Sequence, residues 1–144
     1  MNPMVNILQM SVLIPNFEKR GGLAVVVLQD ANTKEILTVA YTNKECYLEM
    51  LRTGDVVLFS TSRNERWKKG ETSGNIMRIA KIPRIDCDGD AIICQVVSQG
   101  EGNACHTGKR SCFYRTVIGS VLDTSNCTLE IIEVCETVAS LGYF

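Results

Sequence analysis

The run Leu23-Ala24-Val25-Val26-Val27-Leu28 constrains this chain most, because it is continuously apolar, carries three valines, and ends at a polar turn over residues 29–34. Branched side chains crowd a helix but pack well on a pleated surface, so the run reads as a buried strand. Residues 36–41, 56–59, 75–84, 91–98, 113–118 and 129–134 are further strand candidates, separated by polar or glycine-containing turns. One window breaks the pattern. Asn43 is placed to cap a helix over residues 44–52, with Glu45 in its first turn and Gly54 just past its end; Leu48 and Leu51 are expected to face inward. The expected fold class is mainly β (α+β), a compact small domain with one clear helix.

A length of 144 residues with 45% apolar content suits a single core. Residues 1–22 read as an N-terminal extension ending in the charged turn Glu18-Lys19-Arg20-Gly21-Gly22, residues 23–118 as the domain itself, and residues 119–144 as a C-terminal segment of that domain or a dimer element. A net charge of -1, from 15 basic and 16 acidic residues, offers no cationic field for a nucleic-acid backbone, and a small-molecule substrate is expected instead. Residues 1–9 lack the basic lead and cleavage site of a secretion signal, and no apolar run approaches the roughly 20 residues that span a bilayer. The expectation is a cytoplasmic protein without a membrane partner. Seven cysteines, an odd number, then point to reduced thiols used as ligands or core residues.

Chemistry concentrates in two strings. In Asp86-Cys87-Asp88-Gly89-Asp90 the three aspartates alternate, and an extended segment would set their carboxylates on one side. Their repulsion calls for a cation, and a hard ion such as Mg2+ suits carboxylate oxygens. An EF-hand is excluded, since Gly89 precedes Asp90 and Val97 stands where that loop needs glutamate. The bland alternative is a solvated acidic turn.

The second string, Ala104-Cys105-His106-Thr107-Gly108-Lys109-Arg110-Ser111-Cys112, places two thiols around the chain's one histidine. Gly108 lets the loop fold back so that Cys105 and Cys112 reach one ion, with Cys87 as third ligand. Three ligands leave a tetrahedral zinc one open position, the arrangement of a catalytic site. A closed site that adds Cys94 is the competing reading, but an odd separation from Cys87 turns the two side chains apart on a continuous strand. Cys46, Cys94, Cys127 and Cys135 read as small apolar residues. His106 is a fourth ligand, a structural residue or, as its position between two thiols favours, a proton-transfer group.

The loop over residues 62–75 supplies Arg63, Arg66, Lys68 and Lys69 with Thr72, Ser73 and two glycines. It can wrap a phosphate, although the Gly-Lys-Ser/Thr order of a P-loop is absent, and a solvated basic loop is the alternative. Trp67 either stacks on a base or packs in the core.

Three blocks, Trp67-Lys68-Lys69-Gly70-Glu71-Thr72-Ser73-Gly74-Asn75, Asp86-Cys87-Asp88-Gly89-Asp90-Ala91, and Cys105 onward to Arg115, resemble the signature blocks of phosphoribosyl-AMP cyclohydrolase, a family of histidine biosynthesis; the likeness covers residues 23–115. The resemblance implies an intertwined homodimer, Zn2+ on Cys87, Cys105 and Cys112 shared between subunits, and Mg2+ on Asp86, Asp88 and Asp90. It implies hydrolytic opening of the adenine ring of 1-(5-phosphoribosyl)-AMP between N1 and C6, giving the formimino-carboxamide ribonucleotide, with His106 catalytic. Arg63, Trp67, Lys69, Glu71, Thr72, Ser73, Gly74, Arg110 and Arg115 match its substrate-binding positions. Thr61 stands where a further arginine is common, and residues 100–103 lengthen the spacing from Cys87 to Cys105. Two other classes are weighed against it. A free-nucleoside zinc deaminase lacks its His-x-Glu and Pro-Cys-x-x-Cys pattern here, and a noncatalytic zinc module would have no use for the carboxylates or His106.

Overall fold

A computed structural model of the chain describes residues 14–120 and 123–131, with side chains described to residue 118. Strands β1 (Leu23–Asp30) and β2 (Ile36–Asn43) pair antiparallel, and helix α1 (Lys44–Thr53) follows directly. Next come the hairpin β3 (Val57–Ser60) and β4 (Glu65–Lys68), the short strands β5 (Met77–Ile79) and β6 (Arg84–Ile85), and the long β7 (Ala91–Ser98). The main sheet runs β2-β1-β7-β5, with β7 parallel to β1 and β6 pairing farther along β7. β8 (Arg115–Ser120) and β9 (Asp123–Ile131) form a separate two-stranded ladder. The architecture is the expected small α+β domain, mainly strands with one α-helix among the described residues.

Local chemistry explains the helix. The Asn43 side chain accepts the Cys46 N–H at 2.8 Å, and Gly54, in the left-handed region at φ 78°, returns its N–H to the Met50 carbonyl. Its inward face differs from the one expected. Cys46, Tyr47 and Met50 are buried, whereas Leu48 is half-buried and Leu51 is 39% exposed. Positions i, i+1 and i+4 form the stripe toward the sheet, and Leu51 lies about 100° around the axis from Met50.

The core lies between α1, the hairpin and one face of the sheet. Ala24, Val26 and Leu28 of β1, Ile92, Cys94 and Val96 of β7, and Val57, Leu58 and Met77 are all buried there. Phe17, in a short 3-10 turn (Phe17–Arg20), joins them and meets the Tyr47 ring edge-on at 6.0 Å. Part of the expected extension is therefore packed on the domain; residues 1–13 lie outside the described residues.

Three further expectations change. The run in β1 is not buried evenly: alternate residues are fully buried, while Leu23, Val25 and Val27 are half-buried on the sheet's other face. The strand expected over residues 75–84 is interrupted, because Pro83 has no N–H to give a ladder, and pairing resumes only at Arg84. The polar loop over residues 62–74 holds β4. Its Glu-Arg-Trp-Lys sequence lacks an apolar alternation, and tertiary pairing with β3 makes it a strand. The candidate strand at residues 129–134 corresponds to the end of β9, and Val134 is outside the described residues.

Candidate active site

The β3–β4 hairpin and the loop after β4 form one wall of a cavity of about 370 Å³, and residues 103–106 form the other. Arg63, Trp67, Lys69, Thr72, Ser73, Cys105 and His106 line it, so most of the expected substrate, thiol and histidine residues come together. Gly70, Asn75, Asn103 and Ala104 line it as well. Asn75 was visible as the last residue of its signature block; Asn103, in the lengthened segment, carried no signal.

Close packing shapes this wall. Gly70 sits at φ 82°, and a Cβ there would collide with the Asn75 and Ile76 backbone, so only glycine closes the turn. The Gly74 N–H reaches the Gly70 carbonyl at 2.8 Å, which curls Thr72 and Ser73 over the cavity. Asn75 Oδ1 accepts the Glu101 N–H at 2.9 Å and joins this loop to the segment before Asn103. Trp67 lies between two cations, 5.8 Å from Arg63 and 5.0 Å from Lys69. The Lys69 ammonium is buried and donates to the Ala104 carbonyl. Burial lowers its pKa, against the opposing pull of the Cys112 and Cys105 sulfurs.

The thiol loop is tightly held. Cys105 receives Gly108 N–H on its carbonyl at 3.0 Å, and Ala104 N–H reaches the Arg110 carbonyl at 2.9 Å. Arg110 donates to Glu35 at 2.8 Å and Asp30 at 3.0 Å, Ser111 Oγ to the Ile36 carbonyl at 2.8 Å, and Cys112 N–H to the Leu37 carbonyl at 2.8 Å. Arg110 is thus spent on the β1–β2 turn. The Cys105 and Cys112 side chains are near enough to act on each other electrostatically. Burial raises the Cys105 thiol, but bonds from Thr107 and Cys112 and the Lys69 charge prevail and lower it; burial and its neighbour Cys105 raise Cys112. Two neighbouring sulfurs are a donor set that fits a soft cation.

Cys87 does not join them. It is exposed in the acidic turn that precedes β7, whereas the thiol loop follows that strand, and the strand alone is about 25 Å long. Cys94 is fully buried in the core, where burial pushes its thiol up to about 12. Burial, rather than the parity of one continuous strand, separates it from Cys87, because a turn breaks the segment between them. Cys46 is also buried; the Cys127 side chain and Cys135 lie outside the described side chains.

Asp86, Asp88 and Asp90 meet in that turn rather than along an extended segment. Their carboxylate oxygens lie within 4.8 Å of one another, the one such ligand group of three among the described residues. Asp86 Oδ1 accepts the Asp90 and Ala91 N–H groups at 3.0 and 3.2 Å. Lys19 pairs with Asp88, and Arg20 donates to Asp90 at 2.7 Å. The Lys19 bond, with bonds from Asp86 and Asp90, lowers the Asp88 pKa to about 2. This all-oxygen set fits a hard divalent ion. Of the remaining substrate candidates, Glu71 and Gly74 are exposed at the loop, and Arg115 is exposed beside the Tyr114 ring at 5.9 Å; none lines the cavity.

The family model for phosphoribosyl-AMP cyclohydrolase matches residues 38–114. A phosphoribosyl-AMP cyclohydrolase of Desulfatibacillum aliphaticivorans is 49% identical over 107 residues, covering 74% of this chain and 84% of that protein. One of Nitrosopumilus maritimus is 52% identical over 99 residues, 69% of this chain and 89% of that protein. The histidine biosynthesis bifunctional protein HisIE of Thermus thermophilus is 48% identical over 102 residues, but this chain covers only 71% of itself and 46% of that longer protein in the match. With residues of the first and third signature blocks lining one cavity and a family model matching residues 38–114, the chain belongs to the phosphoribosyl-AMP cyclohydrolase family.

Proposed function

We propose that this enzyme opens the adenine ring of 1-(5-phosphoribosyl)-AMP hydrolytically between N1 and C6, giving the formimino-carboxamide ribonucleotide in histidine biosynthesis. The observation that carries the reading is the cavity in which Trp67, Arg63 and two hydroxyls face Cys105 and His106. Trp67 offers a face for the purine, and Arg63 with Thr72 and Ser73 offers charge and donors to a phosphate. His106 takes a proton from the attacking water and returns one to N1 as the N1–C6 bond breaks. Cys105 and Cys112, with Cys87, hold zinc, and Asp86, Asp88 and Asp90 hold Mg2+ for substrate phosphate. Zinc supplies the Lewis acidity that makes water a nucleophile near neutral pH.

The unit is a homodimer in this reading. Among the described residues Cys87 forms no common ligand group with Cys105 and Cys112, and in this reading a second copy supplies one to the other. The outer face of the sheet supports this. Val39 and Tyr41 on β2 and Ile93 and Val97 on β7 are 39–47% exposed around half-buried Val25 and Val27. Such a contiguous apolar face is what an obligate partner covers. Among the described residues no helix is long and apolar enough to cross a membrane.

The test is incubation of the zinc- and magnesium-loaded protein with phosphoribosyl-AMP, followed by absorbance, with adenosine in parallel. Turnover of phosphoribosyl-AMP alone is expected. Turnover of adenosine alone would establish a deaminase, and turnover of neither a noncatalytic module.

A further inference from the structure

Lys69 stands apart from the other cations of its neighbourhood. Lys68 pairs with Asp55 at 3.3 Å, Arg66 with Glu49, and Arg63 with Glu65 at 3.5 Å, so each of these cations has a carboxylate partner. Lys69 is only 8% exposed, and among the described residues no carboxylate forms an ion pair with it. A buried ammonium without a counter-charge is costly, so its neighbours must explain its retention. Those neighbours belong to the thiol loop. The ammonium donates to the carbonyl of Ala104, the residue before Cys105. Its backbone is held too, by a 3.0 Å bond from its N–H to the Val56 carbonyl in the core. Lys69 therefore joins a rigid hairpin to the loop carrying Cys105 and His106. Arg63, 56% exposed at its side chain and paired only with the equally exposed Glu65 among carboxylates of the described residues, is the more accessible cation of the cavity.

We propose that Lys69 is a positioning residue for the reaction, which fixes the Cys105–His106 loop through the Ala104 carbonyl, rather than a ligand of substrate phosphate. This rests on the zinc reading above. The assignment departs from the substrate-binding role expected from the sequence.

The experiment compares Lys69→Met, near in volume but uncharged, with Arg63→Met and the wild type. Cobalt replaces zinc, so that sulfur-to-metal absorption reports the thiol site directly, and a chelator competition gives the affinity. Lys69→Met is expected to lower metal affinity by about tenfold, shift the sulfur-to-metal band, and lower kcat with KM within about twofold. Arg63→Met is expected to raise KM and leave the band unchanged. A Lys69→Met protein with wild-type metal affinity and band but a raised KM would overturn the proposal and restore the phosphate role. If Lys69→Met does not fold, Lys69→Arg serves: retained charge at a displaced position should shift the band and lower kcat, and an unshifted band overturns the proposal. Wild-type protein that shows no sulfur-to-metal band removes the zinc reading itself and the proposal with it.

Discussion

Three carboxylates meet within 4.8 Å in the turn at residues 86–90, whereas the loop at residues 104–112 brings only two sulfurs together and leaves Cys87 beyond the far end of β7. The acidic set is contiguous in sequence. A single turn, closed by Asp86 Oδ1 on two backbone N–H groups, is enough to assemble it. The thiol set spans three segments of chain history: the turn before β7, and two ends of a loop stapled to β1 and β2 by Arg110, Ser111 and Cys112. The carboxylate cluster is a local device, and the thiol pair depends on tertiary contacts. Charge differs in the same way. Lys19 and Arg20 answer the carboxylates from the surface, and one buried lysine donates to the Ala104 carbonyl beside Cys105.

The largest expected effect tests whether the thiol site is split between copies. Cys105→Ser and Cys87→Ser should each be inactive and lack zinc. Co-refolded in equal amounts, they should recover about a quarter of the wild-type activity and zinc, because half the dimers carry one intact site of two. A site built within one chain gives no recovery. Cys94→Ser, in the core, should keep its zinc by elemental analysis.

Next in size is the separation of the two metals. Asp88→Asn is expected to weaken Mn2+ binding, measured by electron paramagnetic resonance, by about 10- to 100-fold while zinc content holds. His106→Ala should lower kcat by about 100-fold with both metals retained; zinc lost from it would make the histidine a ligand.

A smaller effect concerns the staple beneath the thiol loop. Burial raises the Asp30 carboxyl, but N–H bonds from Thr33 and Asn32 and the Arg110 charge outweigh it, so its folded pKa lies below the ordinary 3.8. A depressed carboxylate contributes stability above the unfolded pKa and loses it as pH falls through the folded value. Asp30→Asn should therefore cost about 1–2 kcal/mol at pH 7, and urea titrations should show the gap to wild type closing below about pH 4. A gap independent of pH would mean that the charge of Asp30 contributes nothing.

The smallest expected change is at the surface. Lys19 competes with any cation for Asp88, in an exposed pair that solvent and salt screen. Lys19→Ala should raise Mn2+ affinity by about two- to fivefold and flatten its dependence on salt. Unchanged affinity would show that the pair is not in competition with the metal.

Much of the site was legible from residue order, because its blocks are local. Asn43 and Gly54 bracket the helix as cap residues must, and the Gly108 loop folds the thiols Cys105 and Cys112 together. The strand from Ala91 to Ser98 also follows its apolar run. What misled was the assumption of extended chain. Asp86, Asp88 and Asp90 converge through a turn with Gly89 at φ 81°, and β4 forms where the sequence is charged because β3 pairs with it. Asn103 and the buried position of Lys69 had no local signal, since both depend on how the loop before Cys105 lies against the hairpin.

Sequence by itself determined the elements whose causes lie within a few residues: the capped helix, the valine-rich strand and the family blocks. Only the tertiary structure decided which neighbours those elements meet. It turned Leu51 outward and Cys46 inward, sealed Cys94 in the core, and committed Arg110 to Asp30 and Glu35. The physical reason is range. Caps, turns and branched side chains act through bonds between residues close in the chain, whereas burial and ion pairing depend on contacts between segments far apart in sequence, which residue order leaves open until the sheet has closed.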